Sequence, residues 1–311
     1  MNIAILGAGS LGSLIAGFLG QGSAVDLLVH SKGEHGAMMV AKGLQITGEA
    51  NLSLAQSEAL FTLDEVGLPS NLEGTMDAVL ITGKANSTQE LAMLAQRLLA
   101  PEGVASCLSN GLGHAEVLIK ALGRHRVIAG TTTYAAYRSR PGTVYFAGQG
   151  TVTLGYLQGG PTAIEAQPLI DAFIQSGLAC EWTENGHAAV WNKVLLNIAI
   201  NPIAALSGVQ NGDLLKPQLF TSALEAMLEG ARVARQERVL LPDDLALEQR
   251  LEQVLRATAE NRCSMLQDVM AGRTTEITYL NKAVVEHGER IGIAAPINQM
   301  LTAMIEALTP Q

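Results

Sequence analysis

The sequence predicts an α/β domain followed by an all-helical domain, on three observations. The first thirty residues run strand, glycine turn, helix, strand. Buried strand-like runs then recur as far as Trp182. After about Glu184 they stop, and long helical segments fill the rest of the chain. The division 1–184 and 185–311 follows, with the active site expected in the cleft between the two.

The totals fit an enzyme of this kind. At 311 residues the chain is long enough for two domains, and 16 % charged, 48 % hydrophobic and 32 glycines describe an Ala/Gly/Leu-rich α/β protein. A net charge of −9 argues against nucleic acid and anionic membrane surfaces, yet leaves room for a small anion in a local basic pocket. Cys107, Cys180 and Cys263 are odd in number and widely spaced, so neither a disulfide framework nor a metal site is expected, which suits the cytoplasm. We see no signal peptide, and no run of about 18 apolar residues predicts a membrane span.

In order, Asn2–Leu6 reads as a buried strand and Gly7-Ala8-Gly9-Ser10-Leu11-Gly12 as the turn into a helix. Gly7 permits the tight turn, Gly9 lets a pyrophosphate approach, and Gly12 lets helix and strand pack closely. That makes the first half a Rossmann-type dinucleotide-binding domain, with the phosphates at the helix N-terminus. The second strand, Ala24–His30, ends in His30, Ser31 and Lys32 rather than an acid, which favours a 2′-phosphate and hence NADP(H) over NAD(H), with Glu34 nearby as the counter-argument. Between Gly43 and Ala55, L-Q-I-T and L-S-L-A look like added strands. Met76–Thr82 and Val104–Ser109 are buried strands ending at Lys84 and Asn110, on the edge where open α/β sheets bind ligands. Arg126–Ala136 reads as one further strand, and the runs flanking Gly148-Gln149-Gly150 as a hairpin. Thr162–Ile174 is an amphipathic helix. Helical segments follow near 188–206, 217–238, 243–260, 262–270, 275–291 and 297–308.

Ala189–Pro202 carries the chemistry. It is apolar on almost every side except for Lys193, Asn197 and Asn201, spaced by four. Each such step advances about 40°, so the three heads fall within an arc of about 80°. Pro202 lacks an N–H, so the helix is expected to end or kink beside Asn201. Interhelical glue with a snorkelling lysine is the plain alternative. The functional reading is a small polar substrate clamped by two amides, with Lys193 as proton donor. Farther on, Asn261, Ser264 and Asp268 lie in one segment and Glu276 in the next; Ser264 reads otherwise as a cap, Asp268 as surface and Glu276 as a first-turn acid. A carboxylate beside Lys193 would offset the desolvation that lowers its pKa.

These segments resemble the ketopantoate reductase (2-dehydropantoate 2-reductase) family over nearly the whole chain: G-A-G-S-L-G, the Lys84 turn, S-N-G-L-G, G-T-T-T-Y-A-A, W-N-K-V-L-L-N-I-A-I-N-P, Q-N-G-D, A-E-N-R-C-S-M-L-Q-D and T-T-E-I-T-Y-L-N. The resemblance implies NADPH-dependent reduction of 2-dehydropantoate to (R)-pantoate in pantothenate synthesis. It implies that residues 7–12 cradle the cofactor, and that Lys84, Asn110 and Ala136 line it near the nicotinamide. It makes Lys193 the general acid, has Asn110, Asn197, Asn201, Asn211, Asn261 and Ser264 hold the substrate, and sets Glu276 beside substrate and cofactor. The family commonly has Arg where His30 stands, so Lys32 would carry more of the 2′-phosphate selectivity. The expected partner is a small 2-oxo acid, and the protein is expected to be a monomer or homodimer. Another branched 2-oxo acid as substrate, or a nucleotide-binding sensor without catalysis, are the alternatives.

Overall fold

Strand β1 (Asn2–Leu6) is apolar from Ile3 to Leu6, and all four of those side chains are 0 % exposed, as a strand covered on both faces requires. The computed structural model describes residues 1–308 except positions 23 and 65. After β1 come α1 (Ser10–Leu19), β2 (Asp26–Ser31), α2 (Gly33–Lys42), β3 (Leu44–Gly48), β4 (Leu52–Leu54) and β5 (Leu60–Leu63). Next are β6 (Met76–Ile81), α3 (Thr88–Leu98), β7 (Leu99–Cys107), α4 (His114–Leu122), β8 (Val127–Thr132), β9 (Ala135–Arg140) and β10 (Thr143–Gly148). β11 (Val152–Gly155), α5 (Ala163–Gln175) and β12 (Cys180–Thr183) complete the strand-bearing part. Six helices follow: α6 (Gly186–Ser207), α7 (Pro217–Gln236), α8 (Asp244–Ala257), α9 (Ser264–Met270), α10 (Asn281–Ile291) and α11 (Pro296–Leu308).

The chain forms two compact units, Met1–Ser109 with His114–Ala189, and Asn110–Gly113 with the chain from Val190 onward. In the first, an eight-stranded sheet runs β12-β11-β8-β7-β6-β1-β2-β5. Its strands are parallel except where β11 meets β8. The connections from β1 lead outward to β2 and back across to β6, so the carboxyl ends of β1 and β6 flank the reversal point where such sheets bind ligands. This is the Rossmann-like architecture expected, followed by an all-helical part.

Two expectations need correction. Arg126–Ala136 is not one strand. Thr132 accepts a hydrogen bond from Tyr134 N at 3.2 Å, and the buried Tyr134 hydroxyl accepts from Ala179 N at 2.7 Å; the chain turns there. β9 then leaves for a second, four-stranded sheet, β4-β3-β10-β9. For the same reason residues 148–150 do not close a hairpin: β10 pairs β9 and β3, whereas β11 pairs β8 and β12. Alternation marks a strand's faces and is silent about its neighbours.

Helix α6 also departs from expectation. It is long and apolar enough to span a membrane, but 61 % of its most apolar window is buried within the protein. It does not end at Pro202; it runs on to Ser207. The carbonyl that Pro202 leaves without an N–H belongs to Ile198, and Asn281 Nδ2 donates to it at 3.1 Å. Asn281 also donates to Asn298 Oδ1 at 2.9 Å, and Asn298 Nδ2 donates to Glu229 Oε2 at 2.8 Å. The Glu229 carboxylate further accepts the backbone N–H groups of Ile297 (3.1 Å) and Asn298 (2.8 Å), first-turn amides of α11. Asn281 and Asn298 are 0 % exposed and Glu229 1 %. A buried relay thus replaces the missing helical bond and keeps α6 continuous beneath Lys193, Asn197 and Asn201.

In the first unit, buried His35 links three segments. Its Nδ1 accepts from Gly142 N at 3.0 Å, so Nε2 carries the proton and donates to Ser13 Oγ at 2.9 Å. Ser13 Oγ in turn donates to Ala8 O at 3.2 Å, beneath the glycine turn. Burial, and secondarily the Arg138 charge, lower the His35 pKa to about 4.

Both buried devices are measurable. Asn281→Leu leaves the Ile198 carbonyl and the Asn298 amide oxygen unpaired and should destabilise the protein by about 1–3 kcal/mol in urea unfolding; an unchanged midpoint would show the relay to be idle. For His35 the unfolded chain takes up a proton through pH 6.5 while the folded protein resists until about 4, so stability drains as pH falls across that interval. His35→Gln should therefore lose less Tm than the parent between pH 7.5 and pH 4.5, and parallel losses would contradict the assignment.

Candidate active site

The glycine turn sits where β1 meets α1. Gly7 has φ +78°, and a Cβ there would come within 2.6 Å of Gly83 Cα. A Cβ on Gly12 would drive into the Thr82 side chain, so α1 lies directly against the sheet. A Cβ on Gly9, by contrast, would meet nothing closer than Gly7 O at 3.9 Å, which leaves open space for a ligand. The backbone donors divide unevenly. Gly7 N and Ala8 N both donate to His30 O (3.0 and 2.9 Å), and Gly9 N to Gly7 O at 2.7 Å. Among the described residues the N–H groups of Ser10, Leu11 and Gly12, the first turn of α1, make no hydrogen bond. Of the six turn residues, three shape the loop and three keep donors that can face an anionic oxygen.

At the end of β2 the expectation for His30 fails. The residue is 2 % exposed, with Nδ1 hydrogen-bonded to Thr62 Oγ1 at 3.0 Å and Nε2 donating to Asp64 Oδ1 at 3.3 Å. β5 was not foreseen as a strand, so these partners were invisible. Ser31 is buried, its hydroxyl donating to Ala8 O at 3.1 Å, whereas Lys32 is exposed. Lys84 is exposed after β6, its carbonyl accepting from Ser87 N and Oγ, and Ala136 is half-buried on β9 opposite Phe146.

The second unit gathers the remaining expected residues. Glu276 stands at the head of a short 3-10 turn, Ile277–Tyr279, and its Oε2 accepts from Asn110 Nδ2 at 3.1 Å. The segment after Asn110 is laid on that turn, Leu112 N donating to Tyr279 O at 2.8 Å, and Gly111 (φ +113°) is needed because a Cβ would meet Tyr279 O at 2.5 Å. Burial lowers the Lys193 pKa to about 8, and the Glu276 carboxylate pulls it back upward. Both opposed effects foreseen for this lysine are present, and desolvation is the larger.

Along the same face of α6, Asn197 and Asn201 lie one and two turns on, and neither side-chain amide has a hydrogen-bond partner among the described residues. Cys263 ties this helix to Ser264. Its Sγ donates to Asn201 O at 3.5 Å and accepts from Leu266 N at 3.4 Å, capping α9, whose first residue is the exposed Ser264. Asn211 N donates to Asn261 O at 2.9 Å and its Nδ2 to Thr258 Oγ1 at 3.0 Å, while its buried Oδ1 is unsatisfied. Asp268 is held by Arg273 at 2.8 Å, so its carboxylate serves that pair. The unit therefore offers an ammonium of lowered pKa, a carboxylate acting on it, two uncommitted amides in line and an exposed hydroxyl. Such a set can bind a small oxygen-rich molecule and give it a proton.

Comparison with known proteins identifies the family. Residues 3–159 match the family described as ketopantoate reductase PanE/ApbA, and residues 185–309 its C-terminal part. The chain is 33 % identical to 2-dehydropantoate 2-reductase of Pyrococcus horikoshii, covering 99 % of this chain and 97 % of that one. It is also 33 % identical to that of Halobacterium salinarum, covering 98 % of each. Among solved structures, a ternary complex of D-mandelate dehydrogenase with NADH and anilino(oxo)acetate superposes with a TM-score of 0.88 at 26 % identity, covering 99 % and 98 % of the two chains. A PanE/ApbA family ketopantoate reductase from Ralstonia eutropha JMP134 does so at 0.86 and 28 %, with the same coverage. On residues, fold and full-length identity together, the chain belongs to the ketopantoate reductase family of oxidoreductases.

Proposed function

We propose that this protein reduces 2-dehydropantoate to (R)-pantoate, with Lys193 as the general acid. The observation that carries the reading is the pairing of a lysine whose pKa is lowered to about 8 with Glu276, itself held by Asn110, on a helix face that also presents Asn197 and Asn201. The relatives named 2-dehydropantoate 2-reductase support the substrate.

A bound reduced nicotinamide dinucleotide supplies the hydride. The Ser10, Leu11 and Gly12 amides and the open space above Gly9 suit its pyrophosphate, and the NADH held by the D-mandelate dehydrogenase complex supports that class of cofactor. The sequence pattern His30-Ser31-Lys32 points to NADPH, but in the structure Ser31 is buried with its hydroxyl on Ala8 O, which leaves Lys32 as the exposed cation of the three. Lys193 gives its proton to the ketone oxygen as negative charge develops there, and the neutral amine left behind suits the crowded apolar face of α6. Glu276 keeps the ammonium charged until that moment. Asn197, Asn201 and Ser264 contribute donors and acceptors for the substrate's carboxylate and hydroxyl, with Asn211 and Asn261 on two segments that the Asn211 N to Asn261 O bond joins. A second reading, reduction of a different 2-oxo acid, is favoured by the likeness to D-mandelate dehydrogenase, whose complex contains anilino(oxo)acetate.

Following nucleotide oxidation with 2-dehydropantoate and a panel of branched and aromatic 2-oxo acids decides between them. Fastest turnover of an aromatic acid would favour the second reading, and nucleotide binding without any turnover would overturn both. Lys193→Ala should lower kcat by roughly 10²–10⁴-fold, the worth of a positioned proton donor. Because the acid must be protonated, kcat should fall as pH rises through about 8. Glu276→Gln removes the influence that raises this pKa, so the fall should begin at lower pH; an unmoved profile would separate Glu276 from the lysine.

A further inference from the structure

We infer that Asp64, clamped by His30, sets the choice between NADH and NADPH, favouring a free ribose 2′-hydroxyl over a 2′-phosphate. The inference rests on reading the first unit as a nicotinamide dinucleotide site. β5 lies parallel to β2 with Leu63 opposite Ser31, so Asp64, the next residue, emerges at the carboxyl edge beside the end of β2. Two bonds pull it toward that end: Asp64 N donates to Ser31 O at 2.9 Å, and Asp64 Oδ1 accepts from His30 Nε2 at 3.3 Å. Thr62 Oγ1, at 3.0 Å from His30 Nδ1, fixes the ring from its other side.

His30 is therefore spent on aiming a carboxylate. The Asp64 side chain is 37 % exposed while that of His30 is 3 % exposed, so what this corner presents outward is the anion. In NAD sites the acid that accepts the ribose 2′-hydroxyl ends the second strand. Here that strand ends without one, and the neighbouring strand places a carboxylate against the same end. Among the described residues, the exposed charges directly following β2 are Lys32 at the start of α2 and Glu34 in its first turn. One exposed cation against two carboxylates is a poor seat for a phosphate monoester bearing close to two negative charges. Hydroxyls, which can donate to Asp64, fit it better.

The test titrates NADH and NADPH separately into the purified full chain, reading nucleotide fluorescence with no 2-oxo acid present. Asp64→Asn keeps the shape and removes the charge, and Asp64→Ser is measured alongside it so that a folding failure in one variant decides nothing. Each should shift the ratio of dissociation constants toward NADPH by about tenfold, the scale of one removed like-charge contact. Lys32→Ala should shift the ratio the other way. A ratio that stays within about twofold of the parent's in both Asp64 variants, or equal weakening of both nucleotides, overturns the inference. Binding of neither nucleotide by the parent overturns the dinucleotide reading beneath it. Nucleotide discrimination lost on substitution, in a protein that turns over no 2-oxo acid, upholds this inference while removing the proposed reaction.

Discussion

The proposed reaction depends on keeping an ammonium charged on a helix built to be apolar. Trp191, Val194, Leu195, Ile198 and Ala199 are all within 2 % of complete burial, so α6 can sit only inside the protein, and Lys193 shares its course. Desolvation wins over the Glu276 charge in setting the pKa, yet the result near 8 leaves the lysine mostly protonated at neutral pH. Without the carboxylate the balance moves toward a neutral amine, which has no acidic proton to give in this step. Asn110 matters for the same reason, because its bond to Glu276 Oε2 holds the carboxylate in one orientation.

Continuity of α6 is the second requirement. Proline inside a helix costs about 3 kcal/mol or more, through a lost bond and a steric clash. The protein retains Pro202 directly after Asn201 and gives its orphaned acceptor to Asn281, backed by Asn298 and Glu229. The arrangement is not complete, since Asn281 Oδ1 is buried without a partner. Cys263 adds a second tie at Asn201 O, so the stretch carrying both free amides is fastened from α9 and from α10. Polar groups on these elements thereby inherit fixed positions from interactions that never touch the substrate.

How much of this was legible from residues alone follows from the range of each signal. The glycine turn and the Lys193-Asn197-Asn201 stripe are set by spacing within one element, and helical geometry suffices to read them. The buried strands announced themselves by composition. Strand partners did not: β9 and β10 look like their neighbours in sequence yet belong to the other sheet, and β5 is only four residues long. His30 was misread because its environment is supplied by residues 32 and 34 positions away. Asn281 lies 83 residues from the carbonyl it serves. One local clue to it existed, since Pro202 obliges the fold to find a donor for Ile198 O, but the sequence does not say which one.

The residues facing Lys193 along α6 are amides, and that choice has an electrostatic consequence in the proposed reaction. An arginine at Asn197 or Asn201 would bind a 2-oxo acid's carboxylate more strongly, but its charge would lower the pKa of a lysine one or two turns away and deplete the acid. Amides can hold the carboxylate by hydrogen bonds while leaving its charge in place. A bound substrate anion then acts on Lys193 in the same direction as Glu276, raising the pKa and increasing the protonated fraction. Substrate binding and acid readiness become one event, with each favouring the other by the same free energy. A lysine poised at about 8 is suited to this, because near neutral pH a modest upward push brings it close to full protonation.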